Sequence, residues 1–427
     1  MSLQDLLPYS VALTIAAPGA CAVLLGLYTL LTGRTPMEQT TAGLIRLSVL
    51  ASFVGAGVIA FASTGRHEVD FGAWIRIGTY EVPVVFIIDK VAISFSLLAA
   101  ALTGLVARFS TTYLHKERGF LRFFVLLGLF CTGTQLVSYG GALDLMFLGW
   151  ELIGISSMLF IGFFHERNEP VRSSVRAFSI YRVCDAGFLF AIVVSHELLG
   201  STRLTALEGA AALPVMEATT LALLFLLAAI GKSAQLPFSG WLPRALEGPT
   251  PTSALFYGGV SIHLGLFLLL RIWPVMEVAP VAKGIGVAIG LATALYANAV
   301  ARTCSDAKGA LAHATLAQVG LILAEICAGL TTLALVHLVG HAFLRVWQYL
   351  RAPNMIHDAH RTGLAASARE EGAPGSLGRA LYASGLFRLR LDERIDRAAA
   401  LFVALGRTLD SADRKLRGLF TAPEVNR

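Results

Sequence analysis

The chain is poor in charge. Only 15% of its 427 residues are Asp, Glu, Lys or Arg, while 56% are hydrophobic. A soluble globular domain carries about a quarter charged residues, so this composition excludes one and leaves an integral membrane protein. Cysteine is also sparse: Cys21, Cys131, Cys184, Cys304 and Cys327 are scattered in or near apolar stretches, without a CxxC pair. That pattern offers no iron–sulfur, zinc or disulfide framework, and small side chains in an apolar interior account for it. No cofactor, metal or redox centre of its own is expected. The net charge of +6 is not a nucleic-acid signature, because the basic residues gather in short loops and in the tail after position 344. Membrane orientation explains that distribution.

Apolar runs long enough to cross about 30 Å of hydrocarbon lie near 8–31, 43–63, 87–109, 121–139, 143–164, 175–197, 218–238, 252–273, 277–300, 308–329 and 331–350. They predict an all-α polytopic protein of about eleven transmembrane helices. The residues before the first run, MSLQDLL, hold an Asp and no base, unlike a cleavable signal peptide, so that run reads as a true helix. Placing the N-terminus outside brings Arg34, Arg46, Arg108, Arg122, Arg167 and Arg302 inside and leaves few bases outside. The positive-inside rule then makes the C-terminal tail cytoplasmic.

Composition changes near 351. Residues 1–350 read as the transmembrane domain and the Gly- and Ala-rich stretch 351–390 as a cytoplasmic linker. In 391–420, Leu391, Ile395, Ala398, Phe402, Leu405, Leu409, Ala412, Leu416 and Leu419 keep a four–three spacing, which predicts an amphipathic helix with a heptad seam. Such a seam suits a partner, the protein's own cytoplasmic surface, or the lipid interface.

Two charges stand where lipid-spanning helices should have none: Glu151 in LDLMFLGWELIGISSMLFIGFF and Lys232 in TTLALLFLLAAIGKSAQLPF. Each costs about 3 kcal/mol at mid-membrane and persists mainly where it meets a polar path or a partner. Pro237, with no N–H, frees a backbone carbonyl close to Lys232 and predicts a broken seventh helix. A buried lysine is able to exchange a proton near neutral pH; the bland alternative is a lysine that snorkels to the inner surface. The natural companion of Glu151 is a cation on a neighbouring helix, and a Glu151–Lys232 pair would be switchable, although a purely structural salt bridge is its rival. Further polar residues recur along the spans: Asp89, Lys90, Arg182, Asp185, His263, His313, Gln318, Glu325, His337, His341 and Arg345. His337 and His341, four apart, share a helix face and read as relay or hydrogen-bonded core histidines, with no third ligand nearby for zinc.

WELIGISSMLFIGFF (150–164), RVCDAGFLF (182–190), GKSAQLPFSGWLPRALEGPTPTSAL (231–255), DAKGALAHATLAQVG (306–320) and HLVGHAFLR (337–345) resemble the antiporter-like family of proton-conducting membrane subunits. That family includes the L, M and N subunits of bacterial complex I, the large Mrp antiporter subunits and the DabB subunit of inorganic-carbon uptake complexes. The resemblance implies that Glu151 and Lys232 form a proton-transfer pair, and that His263, His313, His337, His341, Arg345, Asp185 and Arg182 belong to a relay between two inverted half-channels. It also implies a place in the bacterial inner membrane among other protein subunits.

The chain departs from the family pattern in three ways. Tyr257 occupies the position of a family histidine, Arg345 stands where many members carry lysine, and no second broken helix follows the eleventh span. The last departure favours a shortened DabB-like subunit, with proton flow coupled to a DabA-like partner that holds the zinc. The alternatives are a membrane-arm subunit of a NADH:quinone oxidoreductase, an Mrp-type antiporter subunit, or a non-conducting anchor for a cytoplasmic partner.

Overall fold

The computed structural model describes residues 3–362 except 79 and 305, together with 382, 383 and 385–420. About half of the expected linker, 363–381 and 384, lies outside the described residues. The chain divides into two units, Met1–Glu371 and Gly372–Arg427.

In the first unit, α1 (Leu7–Thr32) and α2 (Glu38–Ala62) are followed by a hairpin of β1 (His67–Ile77) and β2 (Tyr80–Ile88). Then come α3 (Lys90–Tyr113), α4 (Phe120–Tyr139), α5 (Leu143–Ile161), α6 (Asn168–Leu199) and α7 (Val215–Lys232). After an irregular stretch, α8 (Thr250–Arg271), α9 (Pro280–Ala301), α10 (Ala307–Cys327) and α11 (Thr331–Thr362) complete it. Ten helices among the described residues, α1 to α10, are long and apolar enough to cross a membrane. The protein is a polytopic all-α membrane protein. In α11, His337, His341 and Arg345 interrupt the apolar run; this helix packs against α10, α8 and α3 and runs past the expected boundary at 350.

Side chains such as Phe61 (91% exposed) and Leu31 (83% exposed) point outward, as they do when the surrounding solvent is lipid. The apolar window of α8 is wholly buried, with α3, α7, α10 and α11 around it. Its first turns, Ser253–Gly259, form a π-helix, a geometry that recurs at functional sites. Gly265 lets α8 press onto the Ala229 carbonyl of α7, and Gly258 and Gly259 admit Tyr349 and Val346 of α11.

The hairpin is a correction to the expected pattern, because residues 87 and 88 end a strand instead of opening a helix. Its strands are antiparallel, with Ile77 opposite Tyr80 and His67 opposite Ile88, and Gly78 adopts a φ of 60° in the turn. Arg203, in the α6–α7 connection, holds the hairpin by donating to Glu68 and Asp70 at 2.9 Å each. At the other end the Tyr80 hydroxyl donates to Asp144 on α5, which also accepts from Thr202. The Gly72 amide and then Arg203 hold the Asp70 carboxyl below the ordinary range of an aspartate. The adjoining Asp89 caps α3 by accepting from the Ala92 amide at 2.8 Å and pairs with Arg271 at the end of α8.

The second unit contains α12 (Leu391–Phe420), with i,i+4 ion pairs Glu393–Arg397 and Asp410–Arg414. The side chains of Ala398, Phe402, Leu405, Leu416 and Leu419, on which the expected seam rests, lie outside the described residues.

Candidate functional site

Helix α7 stops at Lys232. Ala234 turns to a φ of 53°, Pro237 follows, and short turns at Phe238–Gly240, Trp241–Arg244 and Ala245–Glu247 precede α8. The backbone groups freed by this break find partners within the protein. The Trp241 indole donates to the Gly231 carbonyl at 3.1 Å, the Gln235 amide to Ile230 at 2.8 Å, and the Leu236 amide to Thr293 Oγ1 at 3.0 Å. A break at membrane depth is tolerable on these terms.

Lys232 is fully buried. Its ammonium lies 4.4 Å from the centre of the Tyr181 ring and 4.9 Å from that of Trp150, so two aromatic faces carry much of its solvation. The nearest carboxylate is Asp185, with Oδ2 at 3.9 Å from Nζ. Among the described residues Nζ has no hydrogen-bond acceptor. Three glycines make this seat. A Cβ on Gly154 of α5 would lie 2.9 Å from Nζ, one on Gly231 would run into Cys184 of α6, and one on Gly187 would lie 2.6 Å from the Leu224 carbonyl.

The sequence suggested that Glu151 pairs directly with Lys232, and the geometry corrects this. Glu151 binds the Arg182 guanidinium; the same guanidinium donates to Asp185 Oδ2 at 2.8 Å. Asp185 Oδ1 accepts from the Trp150 indole at 2.5 Å. Arg182 and Asp185 are three apart on α6 and therefore share the face turned towards α5 and α7, and the five N–H donors of a planar guanidinium, spread over its fork, let it bridge two carboxylates. The order is Glu151, Arg182, Asp185, Lys232: alternating charges that balance when all are ionised. Glu151 Oε1 has no partner among the described residues.

A second cluster joins α8, α10 and α11. Arg345 Nε donates to His341 Nε2 at 3.0 Å, the other nitrogen of His341 lies 2.9 Å from His263 Nε2, and His263 Nδ1 lies 2.6 Å from the Gly259 carbonyl. Because a guanidinium only donates and a carbonyl only accepts, one proton assignment satisfies the chain: both imidazoles neutral, each protonated at Nδ1. His337 lies 2.9 Å from Glu325 and 3.1 Å from Gln318, with its ring centre 6.2 Å from that of His341. His313 is set elsewhere on α10, its Nδ1 2.9 Å from the Gly309 carbonyl and 3.6 Å from Cys304 Sγ.

The structure thus gathers Glu151, Arg182, Asp185 and Lys232 in one cluster and His263, His337, His341 and Arg345 in another. Between and around them, Tyr181, Ser233, Gln235, Ser239, Tyr257 and Tyr349 carry buried polar atoms with no partner among the described residues. Such atoms mark places where water is held. Tyr181 and Gly154 escaped the sequence reading. Their signal was there in spacing alone: Tyr181 adjoins Arg182, and Gly154 is one turn from Glu151.

Fold and site together define a polytopic helical membrane protein organised around buried, partly unpartnered charges at a helix break. The family model described as "NADH:quinone oxidoreductase/Mrp antiporter, TM" matches residues 141–370, more than half the chain. That described as "NADH-Ubiquinone oxidoreductase (complex I), chain 5 N-terminus" matches 74–124. The chain belongs to the NADH:quinone oxidoreductase/Mrp antiporter family of membrane subunits. It is 31% identical over 338 residues to NADH-quinone oxidoreductase subunit L of Rhodobacter capsulatus, covering 75% of this chain and 47% of that protein. It is 29% identical over 348 residues to NAD(P)H-quinone oxidoreductase chain 5 of Synechocystis sp., covering 79% and 51%. The chain spans about half the length of the curated relatives it matches. A solved structure, the Mrp complex from Dietzia sp. DQ12-45-1b, shares the fold with a TM-score of 0.72 at 22% identity, over 89% of this chain and 46% of that one.

Proposed function

We propose that the chain is a proton-translocating subunit of a multi-subunit membrane complex, with Lys232 as the carrier. The observation that carries this reading is a fully buried ammonium without a hydrogen-bond acceptor among the described residues, 3.9 Å from Asp185 and connected through Arg182 to Glu151. Moving Arg182 between its two carboxylates changes the field at Lys232 and so alters how firmly the amine keeps its proton. The proton then passes towards the neutral pair His341 and His263, through water held by the unpartnered hydroxyls. The histidines accept and release it by exchanging tautomers.

The relatives' names support a placement in a NADH:quinone oxidoreductase or an Mrp-type antiporter. The finer reading keeps the complex in a bacterial cytoplasmic membrane, with the N-terminus outside and the flow coupled to a DabA-like partner of inorganic-carbon uptake. The asymmetry of arginines supports that orientation. The decisive experiment compares dye-reported proton flux in membrane vesicles holding the intact complex with and without Lys232→Met. Flux should fall to background while the subunits still co-purify; unchanged flux removes the carrier role. Flavin and iron–sulfur proteins in the purified complex would place it with the oxidoreductases, and a zinc protein with carbon uptake. If Glu151→Gln is silent while removal of 391–420 abolishes assembly, the chain is only an anchor.

A further inference from the structure

Away from the charge network, two hollows open on the outer face of the bundle. The first, of about 530 Å³, lies between α2 and α3 and is lined by Arg46 and Arg108 above apolar walls. The second, of about 500 Å³, lies between α3 and α11 and ends at Ser94. Both are lined by Phe53 and Ala101, so they adjoin along one side of α3.

The arginines are level with each other. Glu38 at the start of α2 lies 2.7 Å from His115, just past the end of α3, which fixes the ends of two antiparallel helices side by side. Arg46 is eight residues in from Glu38 and Arg108 seven back from His115. At 1.5 Å per residue both sit roughly 11 Å along the helices from that contact. Neither has an ion-pair or hydrogen-bond partner among the described residues. Two unpaired guanidinium groups at one depth on a lipid-facing surface call for an anion. From Arg108 to Ser94 the wall of α3 then runs about 21 Å, more than half of a hydrocarbon layer about 30 Å thick.

We infer that this groove is a binding site for one anionic phospholipid, its phosphate on Arg46 and Arg108 and one acyl chain along α3 towards α11. Phosphate suits the fork geometry of arginine, and basic recesses between transmembrane helices select anionic headgroups. The small residues at Ala101 and Gly104 form the floor. Packing against the protein does not require glycine at 104, because a Cβ there would meet only Val49 Cγ1 at 3.7 Å. A larger side chain at 104 fills the groove and leaves both cations in place.

The test is native mass spectrometry of the delipidated full-length chain, titrated with phosphatidylglycerol or phosphatidylethanolamine bearing identical acyl chains. One phosphatidylglycerol should bind, and R46Q/R108Q should weaken it by about thirtyfold. Arg34→Gln, a loop arginine at the same end, should leave binding unchanged. Gly104→Leu should abolish it with the thermal melting of the protein preserved. Equal binding of the two lipids, or indifference to both R46Q/R108Q and Gly104→Leu, would overturn the site and leave ordinary boundary lipid. Equal retention of glycerol phosphate would show an anion site without an acyl groove. Photocrosslinking from Ala101 in native membranes to another protein chain would replace the lipid with a subunit contact.

Discussion

At the scale of single residues, the carboxylate nearer the Lys232 amine is Asp185 and not the glutamate that the sequence puts forward. Asp185→Asn should therefore depress proton flux more than Glu151→Gln does, and the reverse order would contradict the network described above. Asparagine keeps the shape and an oxygen for the Trp150 indole, while its NH2 replaces the oxygen that accepts from Arg182, so the variant removes the charge and that bond together. Gly154→Ala tests the seat itself: its new Cβ would sit 2.9 Å from the ammonium, and several-fold slower flux is expected with normal assembly. Unaltered flux would show that the amine works from another position. Glu151 and Lys232 were legible because a charge in an apolar run is costly. Their true partners were not, since no one-dimensional pattern says which of several polar neighbours an arginine bridges; Arg182 and Asp185 stood out only as polar residues within a span and through the resemblance of RVCDAGFLF.

At the scale of elements, the apolar runs located the membrane helices well and their ends poorly. The β1–β2 hairpin was overlooked because its second strand, YEVPVVFII, is as apolar as the helix it leads into. The alternation in AWIRI and the glycine turn were the available signals. Asp89 marks the junction, and its two roles separate cleanly. Asp89→Asn keeps a side-chain acceptor for the Ala92 amide but loses the charge facing Arg271; Asp89→Ala loses both. Asparagine and aspartate are comparable caps, worth about 1 kcal/mol over alanine, so alanine should lower the melting temperature further than asparagine. Equal melting temperatures would show that the cap contributes nothing here.

At the scale of the whole molecule, the hairpin's attachment to the α6–α7 connection depends on an aspartate whose acidity is increased. Asp70 is held below its ordinary value near 3.9, so its contribution is complete above that value and disappears only as the pH falls through the still lower folded one. Fluorescence from Trp74, in a variant lacking the other tryptophans, should stay constant between pH 8 and 5 and change only in stronger acid. A transition near pH 6 would point to another clamp. With Gly187 and Gly231 seated against their neighbours, α6 and α7 lie so close that an added Cβ at either position would wedge them apart. A carrier amine on α7, as proposed, would then move by rotation of its own four-carbon arm, on a clock far faster than collective helix motion. On that proposal the slow beat of the cycle is set wherever the machine's heavier parts are, outside this pair of helices.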